Sequence, residues 1–310
     1  MRFLMVDKIC ALEKGRCARG IKNISWNDYF LEEIFPGVPA YSPVVAVEAV
    51  AQLVSWIIVE ARDFTVKPVI ALTDSYRCSG RIIPGDQLEL EGEIESLGDD
   101  SALAHGTIYI NGSPVIELRH AVCYLYPLHE LDPPEMMRRQ FENLYDEGYP
   151  LPRDSSYGRQ MIPRESIPVA KKLWIDRVLE SGPDTMRGVK NVTATAGYFN
   201  DHFSLKPVFP GALMFESMVS LGRMLAEQCL ESRGLGNKKP VLSHCSKIKF
   251  RKFVHPGDRF VVEASVSQLD QGKSSLKVRA TVLDKTAATA VINFLHFNKQ
   301  EYIETFTRCT

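Results

Sequence analysis

Positions 43–59 read PVVAVEAVAQLVSWIIV, and wound as a helix they place apolar side chains on nearly every face. A helix of that kind is surrounded by apolar partners on all sides. The run is short for a membrane span and holds Glu48 and Gln52, which predicts a core helix wrapped by a sheet. Four strands are predicted after it, near 67–79, 86–97, 101–110 and 114–126, with Asn111-Gly112 as a two-residue hairpin turn. The same series returns near 240–253, 258–268, 273–284 and 287–298, with Asp284-Lys285 and its neighbours turning the last pair. One helix followed by an antiparallel meander predicts an α+β domain.

The chain repeats itself at long range. GIKNIS (20–25) is matched 168 positions later by GVKNVT (188–193), and at that offset Phe35 meets Phe203, Pro39 meets Pro207 and Glu48 meets Glu216. FLMVDKI (3–9) resembles LWIDRVL (173–179). Downstream, KPVI (67–70) matches KPVL (239–242), and IIPGDQLELEGEI (82–94) matches FVHPGDRFVVEASV (253–266), now at an offset of 172. The helix or its following loop therefore gained four residues in the second copy. So long a period excludes a solenoid and makes each copy a domain. The expected units are 1–128 and 169–310, joined by 129–168, a polar, proline-punctuated linker or strap. A surface helix is expected over 135–145 after Pro133-Pro134, and the linker shows no catalytic signal.

Composition narrows the function classes. With 37 basic and 38 acidic residues the chain lacks the basic excess of a generic nucleic-acid binder. The seven cysteines are scattered and never form a C-x-x-C pair, as expected of reduced thiols in a cytoplasmic protein. The first residues, MRFLMVDKICALEKG, lack the apolar stretch and cleavage site of a signal peptide. His105, His120, His129 and His296 show no metal-ligand spacing, and no metal is expected. His244 and His255 are expected on or beside a strand near the sheet surface.

Two stretches carry chemistry. Copy 2 has YFNDHFSLKPVFPGALMFESM (198–218), and copy 1 has YFLEEIFPGVPAYSPVVAVEAVAQ (29–52). Together with KFRKFVHPGD (249–258), they resemble the β-hydroxyacyl-acyl-carrier-protein dehydratases of the FabZ type. The signature there reads roughly G-H-F-P-G-x-P-x-x-P-G-x-x-x-x-E-A-x-A-Q, with a later R-F-R-x-x-x-x-P-G-D. The resemblance implies two fused hotdog domains, each an antiparallel sheet round a central helix, packed as a pseudo-dimer. It also implies a catalytic His in the loop before the helix and an acid on the helix. Because related dimers draw the two from different subunits, the loop of one copy should meet the helix of the other.

The copies have lost complementary parts. Copy 2 keeps His202 and Gly211 but has Ser217 and Ser220 where the signature has Ala and Gln; copy 1 keeps Glu48-Ala49-Val50-Ala51-Gln52 but has Ile34 at the His position and Pro43 where copy 2 has Gly211. One composite site, His202 and Gly211 with Glu48 and Gln52, is complete. The other, Ile34 and Pro43 with Glu216, is expected to be dead, and Glu216, without a good chemical partner, is expected to be a relic or a structural hydrogen-bonder. After His202 the chain reads Phe203-Ser204-Leu205 in place of F-P-G, so its loop should run differently. Fused dehydratases of polyketide synthases usually carry the His in the first hotdog, and the reversed order favours a fused FabZ-like dimer.

Elimination of water from a 3-hydroxyacyl thioester needs a base beside the carbonyl, an acid at the leaving hydroxyl and a donor for the oxyanion. A neutral imidazole serves as base. Gly211 offers a backbone N–H at a helix start, which Pro43 cannot. Glu48 on an apolar helix should stay partly protonated, oriented by Gln52 one turn on. No cofactor is required. Lys247, Lys249 and Arg251 alternate along one strand and should share a face, either as the solvated face of an edge strand or as a docking patch for an acidic acyl carrier protein. The expected substrate is a thioester of that carrier or of coenzyme A, with further association of double-hotdog units left open. Two alternatives stand beside the dehydratase: a hotdog acyl thioesterase, and a non-catalytic carrier-binding subunit that needs a partner.

Overall fold

The computed structural model describes residues 3–151 and 174–307. Copy 1 opens with a hairpin of β1 (Lys8–Glu13) and β2 (Cys17–Asn23), then a small separate hairpin of β3 (Leu31–Phe35) and β4 (Val38–Tyr41). Helix α1 (Pro43–Ala61) follows, then β5 (Val66–Cys78), β6 (Gln87–Leu97), β7 (Ser101–Ile110) and β8 (Ser113–Pro127). The joining segment holds α2 (Leu128–Leu131) and α3 (Pro134–Leu144). Copy 2 has β9 (Arg177–Ser181), β10 (Thr185–Asn191), α4 (Gly211–Ser232), β11 (Lys239–Phe250), β12 (Arg259–Leu269), β13 (Lys273–Val282) and β14 (Lys285–Phe297), and α5 (Lys299–Thr307) comes last. The part of the expected linker from 152 to 168 lies outside the described residues, as does Cys309; the six described cysteines are free.

Twelve strands form one sheet in the order β1-β2-β6-β7-β8-β5-β11-β14-β13-β12-β10-β9. Read outward from the β5–β11 seam, the two halves are the same list of equivalent strands, so the duplication seen in the sequence has become a pseudo-twofold axis. The seam is antiparallel, with Tyr76 opposite Cys245 and Thr73 opposite Ile248. This is the fold of two fused hotdog domains. It corrects one expectation: β11, which carries Lys247 and Lys249, is at the centre of the sheet and not at its edge.

The repeated motifs do the same structural work in each copy. Asp7 Oδ2 accepts from the Asn23 N–H at 2.6 Å, and Asp176 Oδ2 accepts from the Asn191 N–H at 2.7 Å. In both P-G-D turns the aspartate accepts from the backbone three residues back, Asp86 from Ile83 and Asp258 from His255, each at 2.8 Å. The glycines between, Gly85 and Gly257, sit at φ +100° and +93°, where a side chain would be strained. The turn of the last hairpin of copy 1 falls on Asn111-Gly112 as expected. In copy 2 the left-handed pair is Leu283-Asp284, within the expected turn and at the place equivalent to Asn111-Gly112.

Helices α1 and α4 lie against the inner face of the sheet. Ser42 caps α1 by accepting from the Val45 N–H, Pro43 occupies the first turn, and left-handed Asp63 and Phe64 turn the chain away after it. Most of α1 is buried, including Val45, Val50, Leu53, Ile57 and Ile58, so its apolar character is consumed by the core. Between the helix ends the exceptions fall on one stripe: Val47, Glu48, Ala51, Gln52 and Ser55 are only half buried. That stripe faces a cavity. Of the four inserted residues in copy 2, most lengthen the helix, α4 having 22 residues against 19 in α1.

Candidate active site

The cavity, of about 370 Å³, opens between the two halves of the molecule. Glu48 and Gln52 reach it from α1 of copy 1, and His202 and Gly211 reach it from the loop and helix of copy 2. Its inner end is walled by buried Tyr76, Leu118, Met214, Phe215 and Ile248, whereas Tyr124 and Arg251 are exposed where it meets solvent. A mostly apolar lining with a few polar and charged groups suits a chain-like ligand carrying a polar head.

His202 lies after a short turn of 3₁₀ helix, Gly197–Asn200, and its N–H donates to the Tyr198 carbonyl at 3.1 Å. Its Nδ1 is 3.2 Å from the Val208 carbonyl. A carbonyl only accepts, so Nδ1 carries the proton and Nε2 keeps its lone pair. Phe203 stacks on the imidazole at 4.3 Å with 19° between planes, and Phe3 meets it edge-on at 5.6 Å. Burial, followed by the nearby Lys67 ammonium, pulls the imidazole pKa down to about 4, so the ring is neutral at pH 7.

Glu48 is shifted the other way. Desolvation raises its carboxyl to about 7, against the opposing effects of Gln52 and Lys67. Gln52 Nε2 donates to Glu48 Oε1 at 3.0 Å and to the Phe3 carbonyl at 3.1 Å, and its own oxygen accepts from the Met5 N–H at 2.9 Å. With its amide anchored at both ends, Gln52 holds Glu48 in one orientation. Gly211 is the first residue of α4, whose preceding residue, Pro210, makes no side-chain cap. First-turn amides have no intrahelical carbonyl to serve, and Gly211, at the positive end of the α4 dipole, lines the cavity. An added Cβ at Gly211 would meet only the Phe250 ring, at 3.7 Å, so packing alone does not demand glycine there.

The equivalent place across the pseudo-axis is filled. Ile34 packs in a cluster with Phe35, Val38 and Val241, covered by Tyr302 and Phe306 of α5. Pro43 occupies the helix start that Gly211 occupies in copy 2. Glu216 makes a structural hydrogen bond, one of the two roles expected of it: the Ser42 hydroxyl donates to its Oε2 at 2.6 Å. Beside it, Glu32 and Arg223 pair at 2.6 Å. Burial is the main cause of a raised Glu216 pKa, with Glu32 adding to it. Deleting the Ser42 partner of so buried a group would cost about 1–3 kcal/mol.

Three residues lining the cavity carried no chemical signal in the sequence, Lys67 in β5 and Met137 and Gln140 in α3, and Lys67 pairs with Asp132, which follows α2. The linker showed no catalytic signal in the sequence, and Asp132, in that segment, is buried and pairs with Lys67. A carboxylate in a polar linker looks like any solvated charge until the chain is folded. The expected basic patch is partly redrawn. Lys247, Lys249 and Arg251 do line one concavity on the outer face of copy 2, joined by Arg187, Lys277 and Arg279. Lys247 is at a left-handed bulge (φ +54°), and Arg251 lies beyond the strand end, where it lines the cavity mouth as well.

Residues 1–119 and 167–291 each match the FabA-like domain. The chain belongs to the FabA-like family. Among curated relatives, the 3-hydroxyacyl-[acyl-carrier-protein] dehydratase FabZ of Caldicellulosiruptor saccharolyticus is 39% identical over 116 residues, 37% of this chain and 83% of that protein. The enzyme of the same name from Streptococcus pneumoniae is 34% identical over 122 residues, 39% of this chain and 85% of its own. Each relative is therefore the size of about one half of this FabA-like tandem. Solved structures similar over the whole length share the fold. A Lactobacillus plantarum protein described as an oleoyl thioesterase superposes with a TM-score of 0.57 at 10% identity, over 91% of this chain and 97% of its own. An acyl-ACP thioesterase from Bacteroides thetaiotaomicron does so at 0.51 and 9% identity, over 90% and 97%.

Proposed function

We propose that the chain dehydrates 3-hydroxyacyl thioesters to trans-2-enoyl thioesters at one composite site, with His202 as base and Glu48 as acid. The observation that carries this reading is the opposed environment of the two groups on one cavity. The imidazole is held neutral with Nε2 free, and the carboxyl is held near 7, so that about half of it keeps its proton at neutral pH. Nε2 takes a proton from the carbon beside the thioester carbonyl. Negative charge moves to the carbonyl oxygen, where the Gly211 N–H supports it. The C–O bond at the next carbon then breaks, and the hydroxyl leaves as water with the Glu48 proton. Proton transfer from His202 back to Glu48 restores both groups.

A thioesterase would need the carboxylate ionised to activate water, and desolvation of Glu48 works against that. Measuring enoyl-thioester absorbance and free thiol in the same reaction separates the two: enoyl product without thiol is expected, and thiol release without enoyl product would overturn the reading. The active form requires His202 neutral and Glu48 protonated. kcat/KM is therefore expected to be level between about pH 4 and 7 and to fall as pH rises through 7. A profile that instead rises through 7 would contradict these roles.

The basic concavity supports an acyl carrier protein as the bearer of the substrate, because its charges lead to Arg251 at the mouth. The double variant Lys247→Glu/Lys249→Glu is expected to raise KM for carrier-bound substrate about tenfold at low salt, with coenzyme A substrate unaffected. Equal KM values for wild type and variant on carrier-bound substrate would remove the docking role.

A further inference from the structure

The His202 loop departs from its family signature in a way that copy 1 does not. Copy 1 keeps Phe35-Pro36-Gly37 after Ile34, and Gly37 at φ +75° closes the tight β3–β4 hairpin. Copy 2 has Phe203-Ser204-Leu205 after His202, and no hairpin forms there. A proline fixes its own φ and needs no partner for an N–H. Serine gives up that constraint and adds two donors. The dead site thus retains the self-supporting loop, while the loop bearing the histidine has lost it.

The lost support is replaced from the segment joining the two copies. Asp132 Oδ1 accepts from the Ser204 N–H at 2.7 Å and from the Ser204 hydroxyl at 2.9 Å. Next to it, the Leu205 N–H donates to the Leu131 carbonyl at 2.9 Å. Leu131 itself packs in a buried cluster with Phe203 and Val208, the ring that stacks on His202 and the residue whose carbonyl holds its Nδ1. The other oxygen of Asp132 is bound by Lys67, whose ammonium lies 4.8 Å from the centre of the Phe203 ring. Asp132 is 1% exposed, and a buried carboxylate is retained at a cost unless its partners repay it. Residues 131 and 132 fall between the two FabA-like stretches, so this contact is an addition to both domains.

We propose that Asp132 is a positioning residue for His202, which makes the strap between the domains a working part of the active site. The proposal rests on the reading of His202 as the base. Positional errors of about 1 Å at a reacting group cost about 10²-fold in rate. Asp132→Ala is accordingly expected to lower kcat about 10²-fold while KM stays within about threefold. Asp132→Asn keeps an acceptor for Ser204 and should lose less than about tenfold. Ser204→Pro removes both donors and should resemble Asp132→Ala, although it restores the family residue. Hydrogen exchange at residues 203–205 should quicken in Asp132→Ala while β13 and β14 stay unchanged.

Three outcomes would each overturn the proposal: Asp132→Ala with kcat within twofold of wild type, Asp132→Asn no better than Asp132→Ala, or a loss expressed in KM alone. Exchange in 203–205 that is the same in wild type and Asp132→Ala would do so as well. If wild type forms no enoyl thioester, the dehydratase reading fails, and the exchange comparison still judges the contact by itself.

Discussion

His202→Ala is expected to lower enoyl-thioester formation by about 10³-fold, within the range for loss of a general base. The imidazole is the group on the cavity with a free lone pair beside a helix-start amide, and nothing else at Ile34 across the pseudo-axis replaces it. The substitution also removes a stacked ring and one hydrogen bond, so the melting temperature should be recorded beside the rate. A folded variant that keeps more than about a tenth of wild-type turnover would show that another group removes the proton.

The second large effect is an asymmetry between two equivalent glutamates. Glu48→Gln is expected to cost about 10²–10³-fold in kcat, whereas Glu216→Gln should leave turnover within about twofold. Gln at 216 can still accept from Ser42 and faces no imidazole, since the residue opposite is Ile34. Equal losses from the two substitutions would dissolve the composite site. Stability should move oppositely to activity. The folded Glu48 pKa, about 7, exceeds the ordinary value of 4.5, so the group binds its proton more tightly when folded. Its contribution is full below the ordinary value and is lost as pH rises through 7. Glu48→Gln should therefore be about 2–3 kcal/mol more stable than wild type at pH 8 and equal to it near pH 4. Chemical denaturation at the two values checks this.

Much of the fold was legible because the signals repeat. Two copies of G-[IV]-K-N-[IV]-[ST], of K-P-V and of P-G-D turn up in register; the first and last pairs make the same hydrogen bonds, and K-P-V lies at the start of the equivalent strands β5 and β11. Glu48 and His202 were readable for a related reason: one is costly on an apolar helix, and the other stands at a fixed spacing before an acid. The turn at Leu283-Asp284 could be bounded only loosely because a leucine at a left-handed position carries no turn signature, and its equivalence to Asn111-Gly112 fixes it. β11 was read as an edge because alternating Lys and Arg are what edges usually display, and the seam with β5 is invisible in either copy alone.

Sequence alone determined the duplication, the α+β class of each half, and which half had lost which part of the signature. These follow from local pattern and spacing, where a residue's neighbours in the chain are also its neighbours in the structure. Tertiary structure alone decided that Glu216 has Ser42 for a partner, that α5 covers Ile34, and that Asp132 holds the loop of a histidine 70 positions away. Each of these joins segments remote in sequence, through hydrogen bonds or apolar contacts that no periodicity encodes. A buried carboxylate in a polar linker becomes recognisable only when the residues that desolvate it are in place.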